Sequence, residues 1–118
     1  MHKYENLKVW QRAIDLVVRI YQVSANLPPD ERYGLISQMR RSATSIPLNI
    51  AEGAGNSSNK EFCRFLEIAL RSGYEVLTTI EISRRLTYIT DEVSLELQTE
   101  TREIIAMIVG LTKTLGKS

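Results

Sequence analysis

Apolar residues recur at helical spacing in four segments of this 118-residue chain, with short breaks between them. From Leu7 to Asn26, a rotation of about 100° per residue places Leu7, Trp10, Ile14, Val17 and Tyr21 on one stripe. Val9, Leu16, Ile20 and Val23 form a second stripe beside it, and Lys8, Gln11, Arg12, Asp15, Arg19 and Gln22 fill the remainder. The apolar arc is then roughly 220° wide, whereas about 100° suffices for a helix facing one core. The pattern predicts that the first stripe faces the core. The second stripe, Val9, Leu16, Ile20 and Val23, is expected to form an oligomer interface.

Pro28 and Pro29 stop the first helix, because proline disfavours helical continuation. Asp30 and Glu31 suit the positive end of the next one. The second helix runs to about Gly53, with Leu35, Met39, Ala43, Ile46, Ile50 and Ala54 on one seam. Gln38, Arg41, Ser45, Asn49 and Glu52 form another seam at the same spacing. Gly53 and Gly55 are expected to end the helix in left-handed geometry, and Ser58 with Glu61 fits a capping box for the third. That helix turns Phe62, Phe65, Leu66, Ala69, Gly73, Val76, Leu77 and Ile80 inward, and pairs Glu67 with Arg71 and Glu81 with Arg85 at i,i+4. Thr90 caps the fourth helix, which carries Val93, Leu97, Ile104, Ile108, Leu111 and Leu115 inward. Long helices and short connections predict an all-α fold: one domain over residues 1–118, an antiparallel up-down-up-down four-helix bundle.

Composition narrows the chemistry. The net charge is +1, from 15 basic and 14 acidic residues. A dedicated nucleic-acid binder usually carries a clear basic excess, so any such role needs a local patch or several copies. His2 is the one histidine and is expected in a frayed terminus, which removes the usual general base and metal ligand. The lone Cys63 excludes an intramolecular disulfide and is expected as a small core residue. The expectation is a protein that is not an enzyme and holds no metal or cofactor. No apolar run is long enough to cross a bilayer, and the start of the chain has no apolar signal core, so a cytoplasmic, non-membrane protein is expected.

The most unusual stretch is SIPLNIAEG, residues 45–53. Pro47 removes a backbone donor and clashes near the Ala43 carbonyl, which predicts a kink in the second helix. Arg41, Ser45 and Asn49 lie one turn apart and can bond within the helix or across to the third, with Glu75 as the expected partner of Arg41. A hydrogen-bonded polar seam that fixes helix register is the first expectation, and a partner-recognition surface the second.

These residues also carry a resemblance. LKVWQRAIDL, GLISQMRRSATSIPLNIAEG and SSNKEFCRFLEIALRSGYEV resemble successive signature blocks of one four-helix-bundle family. It includes proteins encoded within intervening sequences of bacterial 23S ribosomal RNA and is related to accessory proteins of diversity-generating retroelements. The resemblance spans Tyr4 to Leu115. It implies a ring-like homopentamer without enzymatic activity, and a role in association with RNA or ribosomes. The retroelement members bind a reverse transcriptase and nucleic acid through basic surfaces. Gln38, Arg40, Arg41, Ser45, Asn49, Glu52 and Gly53 match the family pattern, as do Trp10, Phe62, Phe65, Ser72 and Glu75. Arg71 departs from it, standing where a small residue is expected, and the near-neutral charge departs from the retroelement members.

Two functions follow as expectations. One is a non-enzymatic oligomeric bundle whose candidate RNA contacts are Arg40, Arg41, Arg84, Arg85 and Lys113. The other is a protein-binding adaptor that presents Leu48, Ile68 and Ile82 to a protein partner.

Overall fold

Helices form where the apolar periodicity places them. The computed structural model describes residues 2–56 and 58–116. It contains α1 (Lys8–Ser24), α2 (Leu35–Ala54), α3 (Asn59–Arg85) and α4 (Asp91–Gly116), with single 3-10 turns at Tyr4–Asn6 and Pro29–Glu31. No strand occurs among the described residues.

Local chemistry sets the helix ends. Glu31 stands in the turn before α2 and accepts the Leu35 N–H through Oε1 at 3.2 Å, supplying a negative group at the helix start. Ser58 caps α3 by accepting the Glu61 N–H at 3.0 Å, and Thr90 caps α4 by accepting the Val93 N–H at 3.1 Å. The α3 terminus closes with two backbone bonds, Thr87 N–H to Arg84 O and Tyr88 N–H to Ser83 O, both 2.9 Å. That pattern requires a left-handed residue, and Thr87 supplies it at φ 61°. The glycines expected to play this part after α2 do not. Gly55 has φ −75°, and Gly53 lies inside the helix for a packing reason given below.

The core is built from the seams of α2, α3 and α4 that the sequence indicates. Met39, Ala43, Ile46, Ile50, Phe62, Leu66, Ala69, Val76, Ile80, Leu97, Ile104 and Ile108 are buried. α1 corrects the expectation. Val9, Leu16, Ile20 and Val23, read as an oligomer interface, are buried in the core together with Ala13. Trp10 and Val17 are half-buried, and Tyr21 is exposed. The arc is as wide as expected, but the second stripe is the one that faces the core. The physical reason lies in the charges beside the core stripe. Arg12 bonds Glu100 at 2.8 Å and also Glu103, and Arg19 bonds Glu96 at 2.7 Å. Pairing with α4 on that flank favours the orientation in which the stripe next to Arg12 and Arg19 turns inward, by the 1 kcal/mol or less, roughly, that partly exposed ion pairs contribute. As α1 advances, its partners on α4 move back toward the start of that helix.

α2 packs against both α1 and α3, while the backbones of α1 and α3 make no close approach. α2 and α3 approach closely at Gly53. A Cβ there would lie 2.8 Å from Phe65 Cβ and 3.2 Å from the Phe62 carbonyl oxygen, so the helices pack at this distance only because the position is glycine. α3 and α4 use Gly73 similarly, against Ile105.

The N-terminal segment is pinned. The His2 N–H donates to the Ala54 carbonyl at 2.8 Å, and its ring lies 5.2 Å from Phe62. This overturns the expectation of fraying, because the end of α2 offers a carbonyl with no helical partner.

Candidate interaction surfaces

The polar seam forms between α2 and α3. Asn49 Nδ2 donates to the Ser45 carbonyl at 2.8 Å and to the Ser45 hydroxyl at 3.0 Å. The Ser45 and Ser72 hydroxyls are hydrogen-bonded at 2.8 Å, and Ser72 also reaches the Ile68 carbonyl at 3.1 Å. Three of the singled-out side chains thus make one chain across the helix pair. The helix stays unbroken through Pro47. Gln38, Arg41, Glu52 and Glu75 are exposed around the seam. Among the described residues no ion pair joins Arg41 to Glu75, so that expected contact is absent; both charges are left to solvent. Ile68, expected to face outward, is half-buried beside the seam.

The candidate RNA contacts divide. Arg40 donates to the Ser24 hydroxyl at 2.8 Å and to the Tyr21 carbonyl at 3.4 Å, with its guanidinium 4.5 Å from the Tyr21 ring centre. It ties α2 to the end of α1. Arg84 bonds Glu81 at 2.9 Å and Asp91 at 3.4 Å, and Arg85 bonds Glu81 at 2.8 Å. Hydrogen bonds from both guanidiniums hold the Glu81 carboxyl down to about 2. Arg84 is correspondingly harder to deprotonate, chiefly through Glu81. Arg41 and Lys113 are exposed and stand in no ion pair among the described residues. The basic surface is therefore thinner than the count of arginines suggests.

Leu48 and Ile82 are exposed as expected, and the apolar surface extends beyond them onto α1. Beside α1 and α2, Val18 is 53% and Leu48 67% exposed, next to Tyr21 and the half-buried Trp10, Ile14 and Val17. A hollow of about 420 Å³ opens between the two helices, lined by Tyr4, Trp10, Ile14, Pro47, Leu48, Ala51 and Glu52. Pro47 has no N–H to leave unsatisfied on this wall. Val18 escaped the sequence reading because it lies beyond the two stripes, although Leu48 did not. Cys63 is half-buried, with its thiol 3.8 Å from the Thr112 carbonyl.

Among the described residues, no group of His, Cys, Asp and Glu side chains could hold a metal ion, and no helix is long and apolar enough to cross a membrane.

Comparison with known proteins agrees with this architecture. A solved structure, a protein of unknown function from the S23 ribosomal protein family of Bacteroides thetaiotaomicron VPI-5482, superposes with a TM-score of 0.80. The two are 29% identical, and the match covers 89% of this chain and 98% of the other. No curated protein matches. The family model described as 23S rRNA-intervening sequence protein matches residues 5–110, which takes in all of α1, α2 and α3 and most of α4. With its sequence and its helical architecture agreeing over nearly the whole length, the chain belongs to the 23S rRNA-intervening sequence protein family.

Proposed function

We propose that the protein is a non-enzymatic cytoplasmic scaffold that works as an assembly of its own copies. Its four helices run up-down-up-down, antiparallel, with α2 bent at Pro47, and five subunits are the number that the family resemblance implies. The observation that carries this reading is the uncovered apolar band of α1 and α2. Val18 and Leu48 stand in water although the opposite stripe of α1 already fills the core, and contiguous exposed apolar surface marks an interaction site. Sedimentation velocity tests it. Wild type is expected well above the 13.4 kDa chain mass, and Val18→Asp is expected to lower the mass while far-UV circular dichroism stays unchanged. A wild-type protein that sediments as a single chain up to about 100 μM would end this reading; that concentration corresponds to a binding free energy near 5.5 kcal/mol.

Association with RNA or ribosomes is the second reading, and exposed Arg41 and Lys113 favour it. Several copies in one assembly would repeat these cations and offset the near-neutral charge of a single chain. A structured ribosomal RNA hairpin titrated by fluorescence anisotropy at about 50 and about 200 mM salt is the test. Binding that weakens steeply with salt, and more weakly in Arg41→Gln, supports it. Absence of binding at the lower salt removes it and leaves the scaffold.

A further inference from the structure

A hollow of about 590 Å³ opens at one end of the bundle, where α1 stops and α3 turns back into α4. That volume lies within the about 300–1,000 Å³ usual for a small-molecule site. Val23, Ile89, Val93 and the Tyr88 ring give it apolar walls. The Tyr88 hydroxyl donates to Glu31 Oε2 at 3.2 Å, which ties the ring to the turn before α2. Two polar groups on the walls, Arg84 and Asp91, face each other across 3.4 Å. Arg84 commits Nε and Nη2 to Glu81 and keeps Nη1 on the side of Asp91. A strong pair of this kind closes to about 2.7–2.9 Å. Held apart, the two groups keep donors and acceptors side by side that they do not use up on each other.

Thr87 is the second observation. It lines the same hollow and is a branched residue at φ 61°. Glycine would make that turn without the strain, and the Thr87 hydroxyl reaches only the adjacent Leu86 carbonyl. Strain that the turn itself does not require is characteristic of binding sites.

We propose that this hollow binds a guanine base. Among the four RNA bases, guanine alone presents two adjacent donors, N1–H and N2–H, beside two adjacent acceptors, O6 and N7. Asp91 accepts from the two donors, and Arg84 Nη1 donates to O6. The flat rings lie against Tyr88 and the apolar walls, as unpaired bases do on aromatic side chains. Arg19 also lines the hollow; it spends Nε and Nη2 on Glu96 and has Nη1 left for a phosphate. Arg19 and Arg84 are each matched by a carboxylate, so the walls carry no excess charge for a bare anion, and a neutral base suits them better. The base has two sources, a free guanine nucleotide or an unpaired guanine in RNA. The inference requires neither reading given above.

Calorimetric titration of the full chain with GMP and with AMP tests the proposal. GMP is expected to bind at least about tenfold more tightly, the discrimination that one bidentate contact to a base supplies. The Asp91 side chain is 89% exposed, so the fold tolerates Asp91→Asn, which is expected to remove the preference. Inosine monophosphate, which lacks the N2 amino group, is expected to fall between GMP and AMP on the wild type. Thr87→Gly should weaken GMP binding although it relieves the turn, whereas Arg41→Gln, outside the hollow, should leave it unchanged. A single-stranded oligouridylate carrying one guanine separates the sources: binding about tenfold tighter than GMP assigns RNA, and binding no tighter assigns the free nucleotide. GMP that does not bind at about 1 mM, AMP that binds as well as GMP, or a preference that survives Asp91→Asn would each overturn the proposal. Should circular dichroism show Asp91→Asn unfolded, the inosine comparison decides alone: inosine monophosphate binding as tightly as GMP would overturn it.

Discussion

The hydroxyls of Ser45 and Ser72 meet at 2.8 Å between α2 and α3, and Asn49 donates to the same Ser45 oxygen from one turn further on. Each member of this chain has a second partner: Ser72 reaches the Ile68 carbonyl, and Asn49 the Ser45 carbonyl. Removing one hydroxyl therefore strands no buried donor. Ser45→Ala or Ser72→Ala is expected to cost about 1 kcal/mol, the ordinary net value of a hydrogen bond rather than the larger penalty of an orphaned group. In the double variant the losses are expected to fall short of additive by about 0.5 kcal/mol, since both changes delete the same contact. Urea titrations of the four proteins measure this coupling.

Three glycines in helices carry opposite predictions. Alanine favours a helix over glycine by about 1 kcal/mol, and at Gly110, where an added Cβ meets nothing within 4 Å, that gain should appear in full. At Gly53 the same Cβ would lie 2.8 Å from Phe65 Cβ, an atom fixed to the α3 backbone. The helices must then move apart, and Gly53→Ala is expected to destabilise by about 1–3 kcal/mol despite the propensity gain. Gly73→Ala should fall between them, because the atom it meets is Ile105 Cγ1, part of a side chain that can rotate. Thermal unfolding of the three variants should rank Gly110→Ala above wild type, then Gly73→Ala, then Gly53→Ala.

These cases also mark what was legible in the sequence. The seams of α2, α3 and α4 were readable because most apolar residues of each recur on one face, opposite charged positions such as Glu67 and Arg71 on α3. The caps Ser58 and Thr90 were readable because side-chain chemistry alone specifies them. The orientation of α1 was not. Two adjacent stripes of similar apolar weight give a width but no direction. A signal did exist: Arg12 and Arg19 are seven positions apart, as are Glu96 and Glu103, and both arginines border the stripe that turns inward. Matching those spacings would have faced that stripe toward α4. Of the candidate site, Ser45 and Asn49 were placed correctly, while the engagement of Arg40 by Tyr21 and Ser24 depends on how α1 ends against α2, which no local pattern encodes.

The burial of the second α1 stripe makes a direct prediction. Ile20→Ala removes a fully buried side chain and is expected to cost about 2–5 kcal/mol. Ile20→Asp buries a charge with no partner and should leave no cooperative unfolding transition. Val18→Asp, two residues away on the exposed side, should keep a cooperative transition and lose only the stability that assembly adds to the single chain. Circular dichroism melts of the three variants distinguish the buried stripe from the exposed side of α1.

Glu81 links stability to acid. Its carboxyl is held down to about 2 by Arg84 and Arg85, below its ordinary 4.5. A carboxylate whose folded value is depressed stabilises the protein above its unfolded value. That stabilisation is lost as pH falls through the folded value, here between about 4.5 and about 2. Glu81→Gln should be less stable than wild type above this window, converge with it below, and so flatten the loss between. The effect should be small and shrink in salt, because the cluster is solvent-exposed. Melting temperatures of wild type and Glu81→Gln across the window, at low and high salt, measure it.

Thr87 gives the last prediction. It ends α3 in the left-handed region at φ 61°, where its branched Cβ crowds the backbone. The backbone bonds from Thr87 and Tyr88 to Arg84 and Ser83 need that conformation whatever the side chain. The Thr87 hydroxyl reaches only the neighbouring Leu86 carbonyl, at 2.6 Å, and holds no other element in place. Replacing the residue therefore relieves strain and sacrifices little. Glycine also has more freedom to lose on folding, which takes back part of the gain. Left-handed geometry costs an L-residue roughly 1–2 kcal/mol, so Thr87→Gly is expected to stabilise by about 0.5–1 kcal/mol and Thr87→Asn by less. Thr87→Val keeps the branched Cβ and loses the hydroxyl, so it should be no more stable than wild type. Urea midpoints in the order glycine, asparagine, threonine would assign the strain to the backbone; a glycine variant less stable than wild type would mean that the hydroxyl outweighs it.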